Sequence, residues 1–144
     1  MKLVITSLVM LACAVGCVRR GDPRLEGSFV SDKEATLEYL ASVKYGTPEG
    51  IERFSQRLGK LTVTWRGTTC VHSGLEGHTN RGTILESGPN HLIIRFPMPE
   101  GAAITNRIDF TPDGLWSTIL TGSHLFYREK FRKLQNPLSS AKNE

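Results

Sequence analysis

The sequence predicts a mainly β domain of the α+β type, an antiparallel meander of about seven or eight strands curled into a barrel, with two short helices inserted after the first strand. Three observations lead to this prediction. From residue 61 onward, apolar and polar side chains alternate as in strands with one buried face. Glycine and proline turns separate these runs without an intervening helix, so that neighbouring strands must pair antiparallel. Curling into a barrel hides the edges that such a sheet would otherwise expose.

Size and composition limit the chain to one ordinary domain. It has 144 residues, of which 39% are hydrophobic and 22% are charged, enough apolar material for a core. The net charge is +4, but the basic residues are scattered along the chain rather than gathered in one block. Because nucleic-acid binding needs a concentrated positive face, we expect no nucleic-acid partner.

The N-terminus has the pattern of a signal peptide. Met1 and Lys2 precede an uncharged, mainly apolar run over residues 3–18, which ends at Arg19 and Arg20. A membrane-spanning helix usually needs about 20 residues, more than this run provides. We therefore predict a cleaved signal peptide over residues 1–16.

The end of this run resembles the lipobox of bacterial lipoproteins, in which a cysteine after a small residue is lipidated and becomes the new N-terminus. The matching segment is Ala14-Val15-Gly16-Cys17, with Ala14 where the family usually has leucine. The resemblance implies a diacylglycerol and a fatty acyl group such as palmitate on Cys17. Val18, in place of the aspartate that favours retention in the inner membrane, implies the outer membrane, on its periplasmic or surface face. A second match, Met10-Leu11-Ala12-Cys13, leaves Cys13 as an alternative lipidation site.

Two alternatives remain open for this region. Arg19 and Arg20 could hold the C-terminal end of an uncleaved anchor in the cytoplasm under the positive-inside rule. If Cys17 is acylated, Cys70 is the only free thiol of the mature chain. If Cys13 is acylated instead, Cys17 and Cys70 could pair in the oxidising periplasm.

The folded domain is expected over residues 25–133, after a lipidated cysteine and polar tether over residues 17–24. Residues 25–30 predict a first strand, and Ser31 to Glu34 match a capping box with Ser31 as the N-cap. A helix should follow and end at Gly46. Residues 134–144 are expected to form a flexible tail.

A second helix is predicted directly after the first. Thr47 is a favourable N-cap, and Pro48 suits the first helical position. Ile51, Phe54 and Leu58 then follow helical spacing until a glycine at position 59 ends the pattern. The remaining strands are predicted over residues 61–66, 68–72, 82–86, 91–96, 104–110, 115–120 and 123–127.

The first and last strands resemble those of the lipocalins. Gly27-Ser28-Phe29 is similar to the Gly-x-Trp motif that opens lipocalins, with Phe29 in the place of tryptophan. Arg128 corresponds to the arginine that packs over that aromatic ring in the family. The resemblance implies a lipocalin-like barrel over about residues 25–132. The chain departs from the family by placing two helices where lipocalins have a long first loop.

No set of residues predicts catalysis or a cofactor. Cys70, His72 and His78 are close in sequence, but their spacing matches no standard zinc site. No nucleophile elbow or phosphate-binding loop occurs. The basic and aromatic run at residues 126–133 is interpreted as a solvated face. We therefore predict no enzyme, metal or cofactor.

The function predicted is that of an outer-membrane lipoprotein that binds a small apolar or lipid-like ligand in its barrel. The alternative is a structural or interaction protein of the cell envelope, whose barrel is filled and whose surface docks another envelope protein. Four large side chains distinguish the two, because a filled interior would favour the alternative: Trp65, Phe96, Phe110 and Trp116.

Overall fold

The computed structural model describes residues 21–73, 77–99, 101–122 and 127–135. The predicted signal peptide, Cys13, Cys17 and the tail from residue 136 lie outside the described residues, as do residues 123–126 of the predicted last strand. Neither of the two helices within these ranges has the length and hydrophobicity needed to cross a membrane.

The described residues form two helices and nine strands. The chain begins with β1 (Gly27–Ser31), α1 (Lys33–Ser42) and α2 (Pro48–Ser55), and eight strands follow. These are β2 (Thr62–Arg66), β3 (Thr69–Ser73), β4 (His78–Arg81), β5 (Thr83–Ser87), β6 (His91–Pro97), β7 (Ala103–Thr111), β8 (Gly114–Ile119) and β9 (Arg128–Lys133). All nine belong to one antiparallel sheet in the order β4-β3-β2-β1-β9-β8-β7-β6-β5.

The sheet curls into a nearly closed barrel, which confirms the predicted fold class. Eight successive antiparallel pairings lead from β4 to β5, so these two strands point in the same direction. Only Gly82 separates them in the chain. One bent segment, residues 78–87, therefore pairs with β3 through its first half and with β6 through its second half. This segment closes the barrel.

Two strands differ from those predicted. β4 was not among the predicted strands, and its residues are polar and show no alternation of hydrophobicity. The last strand that the structure describes is β9, which the sequence analysis interpreted as a solvated run. Its charged residues are not all solvated, because Lys130 is buried beneath α1 and Phe131 belongs to the core.

Both helices occur where predicted, but the N-cap of α1 and the last residues of both helices differ from the prediction. The N-cap of α1 is Asp32, whose carboxylate accepts a hydrogen bond from Ala35 N, so the predicted Ser31 cap is wrong. Ser31 is the last residue of β1, and its hydroxyl donates a hydrogen bond to Glu129 Oε1. α1 ends before Gly46, which nevertheless has the expected positive φ of 76°.

The cap of α2 is as predicted. Thr47 Oγ1 accepts a hydrogen bond from Gly50 N at 3.1 Å, and Pro48 occupies the first turn. The helix ends at Ser55 rather than at Gly59.

The main core lies inside the barrel and is formed by the inward-facing side chains of most strands. Leu25, Phe29, Leu92 and Ile94 are almost completely buried there. α1 packs on the outside against β9. The inner surface of the barrel is therefore the part of the domain in which a site can form.

Candidate ligand-binding cavity

A cavity of about 500 Å³ lies inside the barrel, within the range of small-molecule sites. Its wall combines aromatic side chains with aliphatic side chains from β2, β7 and β8. The aromatic residues are Phe29, Trp65, Phe96 and Phe131. An apolar wall of this kind favours an apolar ligand.

One end of the barrel is closed by the segment before β1. A side chain at Gly21 would overlap the backbone of Gly67, in the turn between β2 and β3. Leu25 is completely buried in the core. The described part of the predicted tether therefore lies across this end of the barrel, which we call the closed end.

Arg24 fastens this segment. Its guanidinium donates hydrogen bonds to Gly88 O and Pro89 O in the turn after β5, and it pairs with Asp22 at 2.7 Å. It also lies over the ring of Phe110, 4.4 Å from the centroid. Hydrogen bonding to Arg24 lowers the pKa of Asp22 below its ordinary range.

The cavity extends toward the opposite end, which we call the mouth. β3 ends and β4 begins there, as shown by the pairing of His72 with His78. Met98 and Pro99, which follow β6, also line the cavity at this end. The closed end and the mouth thus lie at opposite ends of the strands.

Large side chains do not fill the interior. Trp65 and Phe96 face inward with their ring centroids 5.9 Å apart and form part of the cavity wall. Phe110 is covered by Arg24 at the closed end. Trp116 packs on the outside of the barrel against Tyr39 of α1, at 5.5 Å.

The titratable side chains of the cavity wall are Cys70, His72 and His78. Cys70 Sγ lies 3.4 Å from His72 Nε2. Burial raises the pKa of the Cys70 thiol to about 11, which leaves the thiol protonated. Burial, and to a lesser extent His78, lowers the pKa of His72. No Lys, Arg, Asp or Glu is among the described residues of the cavity wall.

A polar pair interrupts the apolar wall between β7 and β8. Asn106 Nδ2 donates a hydrogen bond to Ser117 Oγ at 3.2 Å, and both residues line the cavity. Asn106 Oδ1 is buried and has no hydrogen-bond partner among the residues that the structure describes. A buried acceptor without a partner costs about 1–3 kcal/mol. Rotation of the carboxamide about its terminal torsion would turn this oxygen toward the cavity, where a ligand donor could satisfy it.

Asn106 and Ser117 were not among the residues predicted from the sequence. The available signal was their register: Asn106 stands between Ile104 and Ile108, at the inward position of a strand that is otherwise apolar on that face. A polar residue at such a position must find a partner inside the barrel.

A second polar group, the partly buried Glu129, is the cross-strand neighbour of Ser117 but is not part of the cavity wall. Glu129 accepts hydrogen bonds from Ser31 Oγ and from Tyr127 Oη. Burial raises the pKa of Glu129, and these two hydrogen bonds oppose the rise. Tyr127 also packs against Phe54 of α2, with ring centroids 4.8 Å apart.

Of the three residues of the lipocalin resemblance, Gly27 and Phe29 lie where it implies, and Arg128 does not. Gly27 has a φ of 115°, a conformation that favours glycine, and Phe29 is buried in the core. Arg128 lies over Trp116 and Tyr39, on the outside of the barrel. The cation over Phe29 is Lys133, whose Nζ is 5.5 Å from the ring centroid.

No group of three or more His, Cys, Asp or Glu side chains in the described part of the chain is arranged to hold a metal ion. Cys70, His72 and His78 form part of the cavity wall instead. Comparison of the chain with protein-family models, with curated proteins and with solved structures gave no match.

Proposed function

We propose that this protein is a lipid-anchored binding module of the bacterial outer membrane, whose barrel takes up a small apolar or lipid-like ligand. The observation that supports the ligand is the cavity of about 500 Å³ with its largely apolar wall. A binding module of this kind performs no catalysis.

The cavity favours this function over that of an envelope protein with a filled barrel. Of the four large side chains that could have filled the interior, Phe110 and Trp116 lie at the closed end and on the outside. Trp65 and Phe96 leave the cavity open and contribute flat apolar surface to it. Burying a ligand against such a surface contributes about 25 cal/mol per Å² of apolar area.

The proposed anchor agrees with the geometry of the closed end. Cys17 precedes Gly21 by four residues, so that even a fully extended chain spans only about 14 Å between them. An acylated Cys17 would therefore hold the closed end near the membrane. The mouth, at the other end of the strands, would face away from the bilayer and admit a ligand from the aqueous side.

Ligand uptake is tested with the fluorescent hydrocarbon diphenylhexatriene, using residues 18–144 without the lipid. We expect saturable fluorescence enhancement by the wild-type domain and its loss in Ile104→Trp, because the indole would occupy the cavity near the mouth. Thr105→Trp is the matched control, since residue 105 lies on the opposite face of β7 and should leave binding intact. Absence of saturable binding by the folded wild-type domain would exclude the proposed ligand class.

The anchor is tested by the intact mass of the protein purified from bacterial membranes, beside a Cys17→Ser variant. The proposal predicts the mass of residues 17–144 plus a diacylglycerol and an acyl group, and the variant should lack this addition. An unmodified full-length mass would instead support an uncleaved anchor.

A further inference from the structure

We infer that the preferred ligand is an uncharged amphiphile whose hydroxyl head group binds Asn106 and Ser117 inside the barrel, with its hydrocarbon part against the apolar wall. This inference rests on the proposed function and adds the chemical class of the ligand.

The position of the pair places the head group within the barrel rather than at its rim. Ile104 and Ile119 lie nearer to the mouth ends of β7 and β8 than Asn106 and Ser117 do. Both isoleucines line the cavity. A polar head at the pair therefore lies deeper in the barrel than these two apolar side chains, where a hydrogen bond discriminates more strongly between ligands than it does at the rim.

The hydrogen-bonding capacity of the pair selects a hydroxyl group. Ser117 Oγ accepts from Asn106 Nδ2 and retains its own proton for donation, while Asn106 Oδ1 is an unused acceptor. The terminal torsion of an asparagine side chain is broad, so the carboxamide can present either of its polar atoms to the cavity. A ligand hydroxyl both donates and accepts, and it satisfies the pair in either arrangement.

The described residues of the cavity wall disfavour an ionised head group at the pair. His72 and His78 are basic side chains of this wall, and burial lowers the pKa of His72, which leaves its imidazole neutral at about pH 8. No Lys or Arg among the described residues of the wall is available to pair with a carboxylate or a phosphate.

No Asp or Glu is among the described residues of the wall to pair with an ammonium group. Glu129 is the cross-strand neighbour of Ser117, but its carboxylate accepts hydrogen bonds from Ser31 Oγ and Tyr127 Oη. A charged head at Asn106 would lose its hydration without a compensating ion, whereas a hydroxyl would exchange one set of hydrogen bonds for another.

The inference is tested by displacement of diphenylhexatriene with decanol and with decanoate at about pH 8, where decanoate is ionised. The wild-type domain should require an at least about tenfold lower concentration of decanol than of decanoate. Asn106→Leu and Ser117→Ala should each raise the required decanol concentration about three- to tenfold, because each removes a hydrogen bond. Neither variant should change the affinity for the hydrocarbon probe by more than about twofold.

Thr118→Val is the control, since it removes a hydroxyl from the opposite face of β8 and should leave decanol binding unchanged. Thermal unfolding verifies that each variant is folded, and Ser117→Ala alone decides the test if Asn106→Leu does not fold. Equal displacement by decanol and decanoate, or decanol binding insensitive to both variants, would overturn the head-group site. A wild-type domain that does not bind the probe at all would overturn the proposed function itself.

Discussion

Gly82 is the residue on which closure of the barrel depends. A Cβ atom at this position would lie 2.5 Å from Ile94 Cγ2 and 2.8 Å from the ring of Phe96, closer than real contacts permit. Its N–H donates to Thr68 O at 2.9 Å, which connects the bend between β4 and β5 to the start of β3. The absence of a side chain lets the two halves of the bent segment approach β3 and β6 together.

We therefore expect Gly82→Ala to lower the free energy of unfolding by about 1–3 kcal/mol, as overpacking of a core does. Urea denaturation measures the change. Gly77→Ala is the matched control, because among the residues that the structure describes a Cβ there would meet His72 O alone, at the ordinary contact distance of 3.8 Å. Equal stabilities of the two variants would contradict the role assigned to Gly82.

At the scale of elements, α1 continues the hydrogen bonding of β1 along β9. β1 ends at Ser31, which pairs with Phe131. Lys130 precedes Phe131 in β9, and its carbonyl oxygen accepts a hydrogen bond from Asp32 N at 2.8 Å. Lys130 N donates to Thr36 Oγ1 at 3.0 Å, and Thr36 is completely buried. The helix can therefore interrupt the meander without leaving the polar backbone groups of Lys130 unpaired.

Thr36→Val should destabilise the domain by about 1–3 kcal/mol, because the buried N–H of Lys130 would lose its acceptor while the side-chain volume stays similar. Thr36→Ser keeps the hydroxyl and should cost less. Both values follow from urea denaturation curves with equal slopes. A valine variant as stable as the serine variant would mean that the hydrogen bond contributes little to the docking of α1.

At the scale of the whole molecule, two partly buried groups, His72 and Glu129, give opposite dependences of stability on pH. The pKa of His72 lies below its ordinary value of 6.5, so the native state binds fewer protons than the unfolded state and stability falls as the pH drops below that value. The pKa of Glu129 lies above its ordinary value of 4.5, so its contribution favours folding at low pH and is lost as the pH rises through the folded pKa.

These signs predict how two variants respond to acidification from about pH 8 to about pH 4.5, a range that extends down to the ordinary pKa of a glutamate. His72→Gln should lose less free energy of unfolding than the wild type, because it lacks the histidine that must be protonated against burial. Glu129→Gln should lose more, because it lacks the carboxylate whose protonation favours the native state. Chemical denaturation at both pH values measures the losses, and the reverse order would contradict the assignment.

Some elements of this fold could be predicted from the sequence, and others could not. Alternation of apolar and polar residues is local, and it correctly predicted the meander and the buried face of β2 that carries Val63 and Trp65. Thr47 and Pro48 likewise predicted the start of α2, because a helix cap depends only on neighbouring residues. β4 was not predicted, because its pairing with β3 imposes strand structure on four residues that carry no hydrophobic pattern.

The sequence by itself determined the fold class and the face of the sheet on which most side chains lie, since both follow from periodicity. Only the tertiary structure decided which end of the barrel is closed, how much space remains inside and which polar groups meet there. Asn106 and Ser117 are 11 residues apart in the chain, and their contact depends on the register between β7 and β8. Arg24 reaches Pro89 over 65 residues, a contact that exists only when the barrel has curled. Such contacts depend on how distant strands are offset, a property that no local pattern encodes.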